Sequence, residues 1–170
     1  MLDLSRRSFI VLGAAGVLSA CSGTIPRFIP QPDNRPEALT RDQILLEINA
    51  VRQANGAPPW TYNVALEAAA RSQANLMARK DELSHNLGVT LRQRVTDAGY
   101  IGAVGENLAG GQKTLEQAID GWMHSSGHRS TLLSPKFVEF GLAVARVGHK
   151  SRYGIYWAMI AGGSFEAWKV

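Results

Sequence analysis

The chain has 170 residues, 45% of them hydrophobic, and a formal net charge of +4. This length suffices for a single domain with a sizeable core. No basic run alternates with aromatic residues, which argues against nucleic-acid binding and fits a solvated surface. The basic residues are scattered, for example at Arg52, Arg71, Arg92, Arg129 and Lys150. Cys21 is the only cysteine, so no intramolecular disulfide can form and packing must hold the fold.

Residues 1–20 are predicted to be an export signal. Arg6 and Arg7 form a twin-arginine pair, and residues 10–18 are an apolar run too short to span a bilayer. The pair is typical of a Tat-type signal peptide, which a receptor reads as an address. Without Asp3, Arg6 and Arg7 the net charge is +3 instead of +4.

The residues that end this run resemble a bacterial lipobox. Small residues lead directly into Cys21 in the sequence Leu-Ser-Ala-Cys. The resemblance implies cleavage before Cys21 and acylation, by palmitate or similar chains, which would anchor the protein to a membrane. An ordinary signal peptide or an uncleaved anchor is the alternative. Residues 21–39 contain four prolines and are predicted to be a semi-rigid tether. The expected location is the bacterial cell envelope, with the domain facing the periplasm or the exterior.

The folded domain is predicted to occupy residues 40–170 and to begin with helices. Capping-box patterns start at Thr40, Thr90 and Thr114, each followed three residues later by a glutamine. The first helix should end at Asn55, and Asn63 should cap a second that runs to about residue 79. Residues 105–111 are predicted to be a glycine-flanked loop. The buried face of the second helix is predicted to comprise Leu66, Ala69, Ala70, Gln73, Ala74 and Met77.

The end of the chain is predicted to form two strands. Residues 137–147 are rich in β-branched and aromatic residues, and residues 153–160 are largely apolar. Residues 148–151 should form the turn between them, and Gly141 is expected at a bulge. Helices followed by an antiparallel hairpin predict an α+β fold, with helices packed on a sheet.

Three residues are candidates for catalysis or for metal binding: His85, Glu106 and His128. Two imidazoles and a carboxylate suit zinc or another divalent cation, although their spacing matches no short zinc motif. Each residue alone is more often a solvated or packed side chain. His124 lies four residues before His128, but Gly127 is expected to break the helix between them. His149 is expected to be exposed in the hairpin turn.

Two further polar positions lie beside these candidates. Ser125 and Ser126 are near His128, which invites a nucleophile interpretation. The sequence has no Gly-x-Ser-x-Gly elbow, so helix-end serines are the simpler interpretation. Asn107 could orient a ligand in a cleft, or it could hydrogen-bond its own backbone in a loop.

These motifs together resemble the CAP superfamily, which comprises cysteine-rich secretory proteins, antigen 5 and pathogenesis-related 1. The resemblance covers residues 40–163 and is greatest to the bacterial branch, which carries Gly-His-Arg. It is carried by Ser84-His85, the segment 94–100, Gly105-Glu106-Asn107-Leu108-Ala109, Trp122-x-x-Ser125-x-Gly127-His128-Arg129, Leu132-Leu133, Phe137 with Gly141, and Tyr156-Trp157.

The resemblance implies an α-β-α sandwich with an antiparallel sheet between helices and a C-terminal β-hairpin. It also implies a central cleft that holds two histidines and two acids and that binds zinc in some members. His85, Glu106 and His128 match three of these four residues. Ser125 stands where the animal and plant members hold the second acid, so the resemblance implies a weaker metal site here.

Three functions are compatible with this sequence. The first is an envelope-anchored binding protein whose His/Glu cleft takes a small-molecule, lipid, glycan or protein ligand, with or without a divalent metal. The second is a metal-dependent periplasmic hydrolase that uses His85, His128 and Glu106. The third is a structural envelope lipoprotein. The fold alone does not choose among them.

Overall fold

A computed structural model of the protein describes residues 35, 36 and 38–169. The predicted signal peptide, Cys21 and nearly all of the predicted tether lie outside the described residues. Within the described part, no helix is long and apolar enough to cross a membrane.

Five α-helices and four strands make up the described part of the chain. The helices are α1 (Arg41–Ala54), α2 (Val64–Lys80), α3 (Leu91–Asp97), α4 (Leu115–His124) and α5 (Ser126–Leu133). The strands are β1 (Thr61–Tyr62), β2 (Ala103–Gly110), β3 (Glu139–Arg146) and β4 (Ile155–Gly163). A C-terminal 3₁₀ turn spans Phe165–Trp168.

The strands form one sheet in the order β1-β3-β4-β2. Strand β4 is antiparallel to both of its neighbours, whereas β1 pairs with β3 in parallel. All nine residues of β4 are buried because helices cover both faces of the sheet. The predicted α+β fold, an α-β-α sandwich with a closing hairpin, is therefore confirmed.

Two hydrophobic cores lie on opposite faces of this sheet. One core packs α1, α4 and α5 against it, and the other packs α2 and α3 against it. The predicted buried face of α2 is confirmed, since all six of its residues are buried. Trp60 is buried in the first of these cores, with its indole nitrogen donating to the Phe137 carbonyl.

The predicted helix starts are confirmed at Thr40, Asn63, Thr90 and Thr114, each of whose side chains accepts a hydrogen bond from the first turn. The reciprocal half of the capping box is present at Thr40, where Gln43 accepts from the Thr40 amide. After Thr114, Gln117 instead accepts from the Lys113 amide. Each start still satisfies a backbone donor that would otherwise have no partner.

Two predictions about the middle of the chain are wrong. The expected loop at 105–111 is largely strand β2, because its residues pair along β4 from Ala103 to Gly110. The helix break near His128 falls at Ser125, whose backbone is extended, and not at Gly127, which lies in the first turn of α5. An α-helix that the sequence analysis did not predict therefore carries His128.

Two further expectations are corrected by packing. Gly141 is not a bulge: it pairs in regular register with Ile160, and a side chain there would collide with the α2 backbone at Glu67. Arg52 is not a surface charge: it is fully buried, its guanidinium lies 3.8 Å from the Trp60 ring, and it donates to three backbone carbonyls. Burial lowers the pKa of Arg52 to about 10.

Candidate functional site

His85 lies in the loop between α2 and α3, and two side chains of α2 hold that loop. The buried Gln73 donates from Nε2 to the Ser84 carbonyl at 2.5 Å. Lys80 donates from Nζ to the carbonyl of the buried Leu87 at 3.0 Å. The backbone is thus fixed on both sides of His85, whose side chain is 59% exposed.

Glu106 lies on the edge strand β2 and supports His85 from inside the protein. Its side chain is only 3% exposed. His85 Nδ1 donates to Oε2 at 2.8 Å, and Arg94 Nη2 donates to Oε1 at 2.7 Å. One carboxylate therefore orients an accessible imidazole while it neutralises a buried guanidinium.

Arg94 lies on α3 and completes this network. Its side chain is 1% exposed, and its Nη1 donates to the Val89 carbonyl at 2.5 Å. Arg94 does not stand out in the sequence as a site residue, although a signal is present. A helix capped by Thr90 places Arg94 beside the inward-facing Val95, and a buried arginine usually needs a carboxylate partner.

The opposite face of β2 positions His128. Because successive strand residues point to opposite faces, Asn107 faces away from the Glu106 network. Asn107 is fully buried, and its Nδ2 donates to the His128 carbonyl at 2.9 Å. Its side chain therefore supports the backbone of α5. Gly105 lies on the same face of β2 and lets α5 pack closely against it, because a side chain there would collide with Thr131 and Phe137.

The two histidines meet at the free edge of β2. The ring centroids of His85 and His128 lie 6.4 Å apart, with their planes tilted by 38°. Because β2 is an edge strand of the described sheet, the loop that carries His85 and the helix that carries His128 can approach each other around it. The structure thus brings together the three residues singled out from the sequence, although His85 and Glu106 are 21 positions apart.

The environment shifts the pKa values of the two rings in opposite directions. The hydrogen bond to Glu106 raises the pKa of His85, and the charge of that carboxylate adds to the effect against the opposing effect of burial. Burial lowers the pKa of His128, and the neighbouring His85 lowers it further. His85 therefore keeps its proton to a higher pH than His128 does.

The other candidates occupy different positions. Ser125 separates α4 from α5 and makes no side-chain capping bond, and Ser126 is exposed in the first turn of α5. His124 lies on α4 and is 79% exposed, with Nδ1 donating to the Asp120 carbonyl at 2.8 Å. The structure therefore does not pair His124 with His128. His149 is exposed in the hairpin turn, as predicted.

The donor atoms define what the site could hold. Among the described residues, no group of three or more histidine, cysteine, aspartate or glutamate side chains is placed to bind a metal ion. Since His85 uses Nδ1 to contact Glu106, its Nε2 is the nitrogen left for a ligand. A carboxylate behind a metal-binding histidine is a common arrangement that fixes the ring. A divalent ion at this site would be held by His85 Nε2 and the His128 ring, both in the neutral form, with Glu106 behind His85.

Comparisons with known proteins agree with this architecture. The uncharacterized protein YkwD of Bacillus subtilis is 32% identical over 103 residues, which are 59% of this chain. The chain spans only 40% of the length of that relative.

Two solved structures share the fold. An outer surface protein from Borrelia burgdorferi has a TM-score of 0.63 and 20% identity, over 72% of this chain and 91% of that one. An extracellular protein from Bacillus anthracis that contains an SCP domain has a TM-score of 0.60 and 21% identity, over 74% of this chain and 44% of that one.

A model of the cysteine-rich secretory protein family, CAP, matches residues 45–160. That range contains His85, Arg94, Glu106 and His128 and runs from α1 into β4. The chain belongs to the CAP family.

Proposed function

We propose that this protein is an exported binding protein of the bacterial envelope, in which His85 and His128 contact the ligand. The hydrogen bond between His85 and Glu106 carries the proposal. A surface histidine normally moves among several rotamers, but this one is held by a buried carboxylate that is itself held by Arg94. Such support behind an accessible polar group is typical of a prepared binding site.

The ligand class follows from the atoms that face outward. His85 Nε2 and the His128 ring can contact a divalent cation such as zinc, or polar groups of a small-molecule, lipid, glycan or protein ligand. A bound metal would act as a Lewis acid that attracts anionic groups. In this arrangement Glu106 orients His85, and Asn107 fixes the backbone of His128.

Anchoring through Cys21 is part of the same proposal. The twin arginine, the short apolar run and the lipobox-like sequence support export and acylation. Similar domains occur in a protein described as extracellular and in one described as an outer surface protein. Mass spectrometry of membrane-extracted protein should show acyl chains on Cys21, whereas an unmodified cysteine would contradict the anchor.

The chain offers its own controls for the site, because it contains four histidines. Zinc binding to the purified protein should weaken by about tenfold or more in His85→Ala and in His128→Ala, since each removes one of two ligands. His124→Ala and His149→Ala should leave binding unchanged. Isothermal titration calorimetry with zinc alone measures the zinc affinity of the wild type and of the four variants.

Equal zinc affinity in all five proteins would show that the histidine pair holds no metal. A loss confined to His124→Ala would place the metal on α4 and not at the edge of β2. Raising the pH from 5.5 to 7.5 should strengthen zinc binding in the wild type, because imidazole must lose its proton before it binds a metal.

A periplasmic hydrolase is the second candidate, and the same hydrogen bond favours it. A carboxylate at Nδ1 holds a histidine in the tautomer and orientation of a general base, with Nε2 directed outward. His85 would then take a proton from water, and Glu106 would position it. Turnover of a peptide, ester or glycan that is lost in His85→Ala but kept in His149→Ala would support this function.

A further inference from the structure

We propose that the surface around the C-terminal 3₁₀ turn docks on an anionic lipid bilayer. This surface, here named the C-terminal aromatic patch, consists of Phe165, Trp168, Ile101, Arg92 and Lys136. It shares no residue with the histidine pair or with the side chains that support that pair. The patch would decide which face of the domain lies against the membrane.

The patch exposes large apolar side chains that a soluble surface normally avoids. Ile101 is 87% exposed, Phe165 49% and Trp168 43%. They are three of the seven most exposed large hydrophobic residues in the described part of the chain. Clustered exposed hydrophobic residues mark interaction surfaces, whereas single ones need no explanation.

The patch consists of two groups of contacts, and the 3₁₀ turn joins them because it contains both Phe165 and Trp168. The guanidinium of Arg92 lies 5.4 Å from the Phe165 ring centroid, and it donates to the Gly102 carbonyl at 2.9 Å, next to Ile101. Trp168 packs on Phe137 with ring centroids 5.3 Å apart, and Lys136 Nζ lies 4.6 Å from the Trp168 ring. Since Phe137 is buried in the core beside the sheet, the patch rests on a rigid base.

The charges of the patch select an anionic partner. Arg92 and Lys136 border the two aromatic rings, and the chain as a whole carries +4. The acid within the 3₁₀ turn, Glu166, is paired with Lys169 at 2.5 Å, so these two charges offset each other. Two cations remain beside exposed aromatic rings, the composition that locates at the interface of an anionic membrane.

The linker between Cys21 and the described domain is long enough for this face to reach the bilayer. Residues 22–34 separate Cys21 from the described domain, and thirteen residues can span at most about 45 Å. A domain of this size has a radius of gyration of about 14 Å, so the linker does not restrict which face turns to the membrane. The patch would bind a bilayer through its own side chains. Its docking can therefore be measured with vesicles added to protein that carries no acyl chain.

The tryptophans of the chain allow a direct test. Trp60, Trp122 and Trp157 are each at most 2% exposed, which leaves Trp168 as the accessible one of four. The full chain is added to phosphatidylglycerol-containing vesicles whose lipids carry brominated acyl chains. We expect vesicle binding to quench the Trp168 emission and shift it to the blue. Trp168→Phe removes this component, and the emission of the three buried tryptophans should be neither quenched nor shifted.

Matched variants separate charge from apolar contact. Lys136→Gln should weaken vesicle binding by about fivefold, because one cation near an anionic surface changes the binding affinity by about that factor. Leu46→Ser removes an apolar side chain of α1 that is 68% exposed, and vesicle binding should not change. Trp168 quenching should be lost in vesicles of neutral phosphatidylcholine.

Three results would overturn the proposal. Trp168 emission that stays unquenched while the chain is bound to anionic vesicles would show that another face meets the bilayer. Equal quenching in neutral vesicles would show that the cations do not select the partner. A change in Trp168 emission with soluble glycan fragments, but none with lipid, would assign the patch to a glycan.

Discussion

Replacing Glu106 by glutamine should lower the free energy of unfolding by about 3–5 kcal/mol, the usual cost of removing one partner of a buried ion pair. The carboxylate is 3% exposed and Arg94 is 1% exposed, so solvent cannot replace the lost charge. Glutamine keeps the shape of the side chain. The loss therefore arises mainly from the uncompensated guanidinium, and urea unfolding monitored by circular dichroism measures it.

Two variants make this result specific. Glu82→Gln removes an exposed acid and should change stability by no more than about 0.5 kcal/mol. Arg94→Met combined with Glu106→Gln removes both buried charges and should recover much of the loss, since a buried pair is often replaceable by apolar groups. A cost for Glu106→Gln no larger than that for Glu82→Gln would show that the pair does not support the site.

Replacing Gly141 by alanine should destabilise the protein by about 3 kcal/mol or more, which is at or above the upper range for overpacked sites. A methyl group there would collide with backbone atoms of Leu66 and Glu67 at the start of α2. A backbone cannot move aside as a flexible side chain can. The helix would have to separate from β3, and the core between α2 and the sheet would open.

Gly148→Ala is the matched control for this variant. Gly148 has no atom within 4 Å of the position where a Cβ would lie, and its backbone is not left-handed. Alanine should be neutral or slightly stabilising there, because it restricts the unfolded chain. Thermal unfolding of the two variants compares them directly. Equal melting temperatures would mean that α2 does not pack as closely on β3 as the structure shows.

The sequence predicted best those features that depend on nearby residues. Helix starts at Thr40, Asn63, Thr90 and Thr114 follow from side chains that satisfy amides two or three positions away. The strand character of residues 103–110 depends on pairing with β4, some fifty positions later. Its glycines also weaken any local strand signal, which is why a loop was predicted instead.

The sequence predicts only part of the site, because the rest of the site depends on contacts between distant residues. His85, Glu106 and His128 stand out as polar residues in ordered motifs, and the structure brings them to one edge of the sheet. Arg94 and Arg52 did not stand out, because an arginine in a helix normally reaches solvent. Only the tertiary structure shows that one meets a buried carboxylate and the other meets three carbonyls.

The two imidazoles give the stability of the protein a defined pH dependence. The folded state raises the pKa of His85 above its ordinary value near 6.5. Protonated His85 therefore stabilises the folded state fully below about pH 6.5, and this stabilisation is lost as the pH rises through the pKa of His85 in the folded protein. The folded state lowers the pKa of His128. Protonating that ring therefore costs stability as the pH falls below about 6.5.

An NMR titration of the imidazole groups of His85 and His128 tests the central claim, that the buried carboxylate of Glu106 holds His85 in place. We expect His85 to titrate at a higher pH than His128 in the wild-type protein. In Glu106→Gln the pKa of His85 should fall, because the hydrogen bond that raises it has lost its charge. If His85 titrates at or below His128, or does not respond to Glu106→Gln, the carboxylate does not hold it and the proposed site is contradicted.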